Sequence, residues 1–287
     1  MKSKLRPLPH EVLFGLFLVV TWLRLALGVS FFAVHTLFFF ALILIAITLI
    51  VLCTRNETGA NWRVRLLFYA VAMNLVYPSL KTVVPAIRPG SEDALLQQID
   101  GWLIGENLSL RMQAIIHPAL TEFFSACYIL FFPYLLFSLV LYAVGDLAVF
   151  KKFTAGLFGI YGLGFFGYSL LPAKGPHLVM TDQFTVPLTG WWITQWNSDI
   201  VRLGSNQVDV FPSLHCAVSS FFLFFDRVHK PWRFKLYLVP CAGLWLSTIY
   251  LRYHYLVDLI AGFALSAFCF WIASRGNGEY EIPAQVR

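Results

Sequence analysis

Two stretches of this 287-residue chain carry residues whose types and spacing suit chemistry. The first is VFPSLHCAVSS, residues 210–220. Pro212 and Ser213 suit the opening of a helix, where a proline loses nothing by lacking an N–H. The free N–H groups of such a first turn favour an anion. Ser213 adds a hydroxyl, and His215 places a proton-carrying ring in the same turn. The pattern is a cradle for a phosphate-like anion with an acid beside it. An ordinary Pro–Ser helix start would explain the same letters structurally.

The second stretch is STIYLRYHYLVDLIAGF, residues 247–263. His254 and Asp258 are four apart, so on a helix they share a face. A carboxylate bonded to one imidazole nitrogen fixes the tautomer and leaves the other nitrogen as nucleophile or base. Asp258 stands just inside an apolar run, where an ionisable side chain is functional by default. Arg252 brings a guanidinium fork suited to phosphate oxygens. The competing reading is a structural His–Asp–Arg network that pins two helices. Two further segments carry cations. LLPAKGPH (170–177) puts Lys174 at a Gly–Pro turn with His177 after it. KTVVPAIRP (81–89) puts Lys81 and Arg88 where they would anchor anionic head groups.

The elements that position these groups are membrane helices. Apolar residues make up 59% of the chain and charged residues 13%, with a mean hydropathy of +0.71. Soluble proteins average roughly 45–50% apolar and about 25% charged, so a soluble fold would leave apolar surface uncovered. The runs are continuous rather than alternating, which excludes a barrel. A helical span takes about 20 apolar residues. Spans are expected near 12–28, 31–52, 64–80, 119–142, 153–172, 212–225, 236–251 and 255–273. The first two meet at a tight turn near Gly28. The expected fold is therefore an all-α polytopic membrane protein with about eight transmembrane helices, six at the least. A catalytic core of the six-helix type would occupy 119–275, after extra N-terminal spans over 1–60 and a span with an interfacial helix over 64–112. All 287 residues form one membrane domain in this reading.

Fourteen of the twenty-one Lys and Arg residues fall on one side of these spans, and that side is expected to be cytoplasmic. Lys2, Lys4, Arg6 and Arg287 contribute to the bias, so both termini are expected inside. His215, Arg252, His254, Lys174 and His177 then converge at the non-cytoplasmic face, periplasmic or lumenal. The basic excess is a topology signal and not a nucleic-acid stripe. Segment 91–112 reads as an interfacial helix capped by Ser91, and Trp191, Trp192 and Trp196 as interface anchors or a lid. His10 and His229 fall in basic segments and are expected to be solvated. The five cysteines have neither disulfide-framework nor metal-type spacing, so no metal site is expected.

Taken together the motifs resemble the type 2 phosphatidic acid phosphatase superfamily. Its signatures are Lys-x6-Arg-Pro, Pro-Ser-Gly-His and Ser-Arg-x5-His-x3-Asp. Here the second reads Pro212-Ser213-Leu214-His215, with Leu214 in place of glycine. The third reads Ser247-Thr248, then His254 and Asp258, with Thr248 in place of arginine and Arg252 two residues before the histidine. That variant resembles the inositol phosphorylceramide synthase branch and its inositolphosphotransferase-like bacterial relatives, as do the extra N-terminal spans and the Asp100-Gly101 segment. Lys81 to Pro89 matches the first signature letter for letter, yet two expected spans separate it from Pro212. Lys174 stands where the topology puts that signature. The resemblance implies that His254 attacks phosphorus, Asp258 orients it, and His215 protonates the leaving oxygen. It implies that Lys174, Arg252 and Ser213 hold the phosphoryl oxygens, with Lys81, Arg88 and His177 as further head-group contacts. It implies no metal and no cofactor. The expected activity is transfer of a phosphoryl-bearing group from a phospholipid or lipid phosphate to a lipid alcohol. Hydrolysis with water as acceptor is the alternative enzyme, and a proton-coupled transporter using a His–Asp relay is the alternative of another class.

Overall fold

The computed structural model describes residues 7–275, so Lys2, Lys4, Arg6 and Arg287 of the topology argument lie outside the described residues. The described chain is helical throughout, with no strand. Near the N-terminus, α1 (Pro9–Gly28) and α2 (Val34–Arg55) divide the long apolar run, and the break falls at Gly28. α3 (Gly59–Ile87) starts where the Thr58 hydroxyl accepts from Asn61 N at 3.1 Å. Among the described residues six helices, counting 118–143 as one span, are long and apolar enough to cross a membrane: α1, α2, α3, 118–143, α8 and α13. The chain is an all-α polytopic membrane protein.

α3 corrects one sequence expectation. The span expected to stop near residue 80 continues to Ile87, with Pro78 and Pro85 inside it. Each proline removes an N–H from the ladder, which kinks a helix without ending it where neighbours supply packing. Arg24, the one cation inside α1, donates from Nη2 to the Ile87 carbonyl at 2.9 Å and satisfies an end group of α3. Lys81 therefore sits on a helix flank and not in a surface loop.

A short amphipathic segment follows: α4 (Asp93–Ile104), the single turn α5 (Leu108–Arg111) and a 3-10 turn at Met112–Ile115. Leu96, Asp93 and Asp100 face inward, while Leu95, Trp102 and Leu103 are exposed. Ser91 does not cap α4, since its N-cap is Glu92 and the Ser91 hydroxyl bonds the Asp93 carboxylate instead. α6 (Pro118–Ile129) and α7 (Phe131–Ala143) make one span with a break at Leu130. Pro133, in the first turn of α7, cannot donate back across that break.

α8 (Leu147–Leu170) is the most enclosed span. It packs against α1, α3, α11 and α13. Gly162 makes this possible, because a Cβ there would meet the Phe14 backbone of α1 at 2.7 Å. Small residues let membrane helices approach closely where no hydrophobic effect drives them together. After α8 come a turn of helix α9 (Pro176–Val179), the amphipathic α10 (Trp192–Gly204), α11 (Leu214–His229), α12 (Pro231–Tyr250) and α13 (Leu256–Arg275). α11 has only 16 residues, short of the roughly 20 that lipid requires. Its neighbours α8, α12 and α13 enclose it, so protein rather than lipid covers most of its surface.

Buried ion pairs staple the end of the bundle remote from His215. Arg65 of α3 pairs with Glu11 of α1 at 2.5 Å, and both side chains are enclosed. Lys151 of α8 lies 3.5 Å above the Trp62 ring. Arg233 of α12 pairs with Asp226 of α11 at 2.9 Å, and Tyr134 and Tyr142 donate to the same carboxylate at 3.0 and 2.5 Å. His10 is not solvated. Its ring is fully buried and packs edge-on to Tyr69 at 4.8 Å, because α1 brings it beneath α3 rather than out with the basic terminus. His229 is half-buried against Phe225.

Candidate functional site

The two motif stretches meet at the junction of α11, α12 and α13. Ser213 is the N-cap of α11, and its hydroxyl accepts from Cys216 N at 3.4 Å. Ser213 N donates to the Asp258 carbonyl at 3.0 Å, so backbone joins backbone between the motifs. α11 and α13 can approach this closely because residue 262 is glycine, where a Cβ would lie 2.5 Å from the Ser213 carbonyl.

α12 ends in a turn that presents His254. Tyr253 N and His254 N both donate to the Thr248 carbonyl, at 2.9 and 3.0 Å. Arg252 adopts φ +68°, a left-handed conformation that costs a non-glycine residue energy and is kept where the surroundings demand it. The turned-over Arg252 carbonyl accepts from His177 N at 2.8 Å. Asp258 is fully buried. Its Oδ2 accepts from Tyr255 N at 2.7 Å and faces His254 Nδ1 at 3.3 Å. The carboxylate thus caps the start of α13 and orients the imidazole together. Burial is the main cause that pulls the His254 imidazole down to about 4, against the opposing charge of Asp209 and the Val210 carbonyl. The ring is therefore neutral at pH 7 and keeps a lone pair. Burial likewise pulls His177 down to about 4, helped by the neighbouring His254.

His215 faces His254 across the junction, with ring centroids 5.9 Å apart. Tyr128 and Phe131 hold the His215 ring, each with a centroid distance of 4.6 Å. A cavity of about 290 Å³ opens before these rings, lined by Lys174, His177, His215 and His254. Its other walls come from α3, α7, α8 and α10.

Two carboxylates from the amphipathic segment support the site. Asp93 accepts from Lys174 N at 2.8 Å, Gly175 N at 2.9 Å and the Tyr255 hydroxyl at 2.8 Å. Asp100 accepts from Leu256 N and Val257 N, both at 2.9 Å, at the first turn of α13. Gly175 has φ +89°, and a Cβ there would lie 2.5 Å from the Tyr253 carbonyl, so only glycine fits between the two loops. Sequence reasoning linked Asp100 to a family branch but did not see that it caps α13, and around Asp93 it saw only an interfacial helix. Asp209 and Tyr77, bonded to each other on the cavity wall, were missed entirely.

The structure places the remaining candidates elsewhere. Arg252 does not line the cavity: its guanidinium lies 4.0 Å above the Phe184 ring and donates from Nη2 to the Val186 carbonyl at 2.5 Å. The positive φ turns its side chain toward the 181–186 loop. Ser213 is buried beneath the cavity floor as a cap. Lys81 is exposed on α3, and Arg88 pairs with Glu92 at 2.5 Å on the surface, so neither reaches the cavity wall. Among the described residues, no group of three His, Cys, Asp or Glu side chains is arranged to hold a metal ion.

One comparison with known proteins is informative. A family model described as the PAP2 superfamily matches residues 95–272, which contain every residue of the His215–His254–Asp258 junction. No curated protein and no solved structure matches the chain.

Proposed function

Since the chain belongs to the PAP2 superfamily, we propose that it is a metal-independent lipid phosphotransferase working through a phosphohistidine. The observation that carries this reading is the pair of imidazoles. His254 is held on Nδ1 by Asp258 and faces His215 across a cavity that Lys174 also lines.

In this mechanism His254 Nε2 attacks phosphorus, and the bond from phosphorus to the leaving oxygen breaks. His215 gives that oxygen its proton. The Lys174 ammonium balances the charge on the phosphoryl oxygens. An acceptor hydroxyl then attacks the phosphohistidine, passes its proton to His215 and frees His254. With a lipid alcohol as acceptor the product is a new phospholipid, and with water it is an acid and an alcohol. The likeness of the Arg252–Asp258 stretch to the inositolphosphotransferase-like branch favours transfer. So do the apolar side chains of Phe131, Phe132 and Leu135 on the cavity wall, which suit the approach of a lipid alcohol from the bilayer. The Lys and Arg bias supports a non-cytoplasmic position for this face with both termini inside. Trp191, Trp192 and Trp196, all exposed near the N-terminal end of α10, suit an interfacial position there.

The test is a donor panel of lipid phosphates and phospholipids given to the purified protein and to His254→Ala, with water, diacylglycerol or ceramide as acceptor. Turnover that is lost in His254→Ala and blocked by orthovanadate supports the mechanism, and the products separate transfer from hydrolysis. Equal activity in both proteins, or none, overturns it.

A further inference from the structure

Asp209, half-buried on the cavity wall, is out of keeping with the enclosed carboxylates. Glu11 and Asp226 have arginine partners. Asp93, Asp100 and Glu122 each gather backbone N–H groups. Asp209 instead meets two neutral hydroxyls, Tyr77 on Oδ2 and Ser205 on Oδ1, the latter at 3.2 Å. No ion pair reaches it among the described residues. It lies on the wall of the same cavity as His254, and a carboxylate held at such a site without a countercharge is costly.

Aromatic side chains share the cavity with it. Tyr77, Tyr128, Tyr161, Tyr168 and Phe131 line the cavity with Asp209. Aromatic faces attract cations through the ring quadrupole, and rings grouped around a carboxylate form a recognised receptor for ammonium groups. Lys174 lines the same cavity and supplies the opposite sign.

We infer that the cavity takes a zwitterionic head group, a phosphate ester whose alcohol carries an ammonium, with the phosphate toward Lys174 and His254 and the cation between Asp209 and the tyrosines. The inference rests on the reading of the His254 end as the phosphate site. It departs from the polyol donor that the branch likeness suggests. A polyol would look for free hydrogen-bonding groups. The Tyr77 and Ser205 hydroxyls are already committed to Asp209, and the Asn74 amide nitrogen donates to Ala70 O at 2.9 Å, so a polyol would have to turn to the Tyr128, Tyr161 and Tyr168 hydroxyls of the same cavity.

Binding to the full chain in maltoside micelles tests this without turnover, by calorimetry with phosphocholine, inositol 1-phosphate and tetramethylammonium as probes. Phosphocholine is expected to bind at least tenfold more tightly than inositol phosphate. Asp209→Asn is expected to erase that preference and Tyr77→Phe to reduce it. Equal binding, a preference for the polyol, or an equal loss of both ligands in Asp209→Asn overturns the inference. If Asp209→Asn fails to fold, the wild-type preference and Tyr77→Phe decide. Tetramethylammonium separates the two readings. If it binds the wild type and not Asp209→Asn, the ammonium site stands even where His254→Ala shows that the phosphohistidine mechanism does not.

Discussion

Asp258→Asn isolates what the carboxylate charge contributes. Oδ2 of Asp258 serves both Tyr255 N–H and His254 Nδ1, while Oδ1 is buried without a hydrogen-bond partner. An asparagine keeps both bonds only by placing its oxygen at the Oδ2 position, since an amide nitrogen there would face the Tyr255 N–H. The cap, the tautomer and the ring orientation then survive while the negative charge is lost. In the proposed mechanism the His254 ring becomes cationic as it attacks phosphorus. A unit charge about 4 Å away at an effective dielectric of 20 is worth about 4 kcal/mol. The difference between a charged and a neutral hydrogen bond sets a lower bound of about 1 kcal/mol. A loss in kcat of roughly 10²-fold to 10³-fold lies within these limits, since each 1.36 kcal/mol is tenfold in rate. Asp258→Ala removes orientation and cap as well and should lose more. The amide nitrogen would also occupy the partnerless Oδ1 position, which costs about 1–3 kcal/mol of stability. The assay is steady-state transfer from a phosphodiester donor in mixed micelles, with a melting curve for each variant. If folded Asp258→Asn keeps kcat within threefold of wild type, the charge does not stabilise a phosphohistidine and the role assigned to Asp258 fails.

Further outcomes follow from the structure. Because burial holds His254 near 4, the neutral nucleophile persists down to that pH. The His254 limb of kcat/KM for a phosphodiester donor should fall below about pH 4, and a limb at 6–7 would contradict the buried neutral ring. The same depressed value means that His254 supports folding above the unfolded value of 6.5 and that this support fades as pH falls from 6.5 toward 4; melting points measured across that interval should fall. Gly262→Ala places a methyl 2.5 Å from the Ser213 carbonyl, so thermal unfolding should show a loss of about 1–3 kcal/mol with reduced kcat, whereas Gly15→Ala, which meets nothing within 4 Å, should gain about 0.5–1 kcal/mol as a helix substitution. Arg65→Met strands Glu11 inside the bundle and should cost about 3–5 kcal/mol; Arg65→Met with Glu11→Gln should recover part of it, and equal melting points for the single and double variants would refute the pairing.

The helices were legible because lipid imposes one rule on every span: a long apolar run with its backbone bonds closed internally. Gly28 marked the first hairpin because the apolar run has only Arg24 and Gly28 to break it. The end of α3 was not legible, since Lys81 and Arg88 read as a loop while Pro78 and Pro85 remain inside the helix. His254 does meet Asp258, yet not on a shared helix face as the four-residue spacing suggested, because His254 stands in the turn before α13; Lys174 lines the same cavity, where topology had put it. The direction of the Arg252 side chain depends on a positive φ and on the distant Phe184 and Val186, which no local pattern encodes. Tyr77 and Asp209 are far apart in sequence and meet only in the folded bundle. The trace that did exist was an aspartate inside the apolar VDVFPSL stretch, which the neighbouring Pro212–His215 motif overshadowed.

The site also divides along the chain in a way that bears on specificity. The family match spans 95–272 and takes in His215, His254, Asp258 and Lys174. Tyr77 lies before that match, on α3, yet its hydroxyl fixes the Asp209 carboxylate on the cavity wall. α3 is in turn held to α1 by the buried Glu11–Arg65 pair and by Arg24 on the Ile87 carbonyl. In the proposed mechanism the phosphoryl chemistry lies within the matched segment, while the proposed head-group wall, although Asp209, Tyr128, Tyr161 and Tyr168 also fall in that segment, depends on Tyr77 from outside it. Substitutions along α1 and α3 should then alter which donor is preferred before they alter the rate of phosphoryl transfer, and substitutions at the α11–α13 junction should do the reverse. Asp93 is the informative exception, because it lies outside the match but holds the Lys174 backbone and the Tyr255 hydroxyl together. Asp93→Ala should therefore behave like a junction variant, lowering kcat on every donor alike, and a change confined to donor preference would mean that the division does not hold.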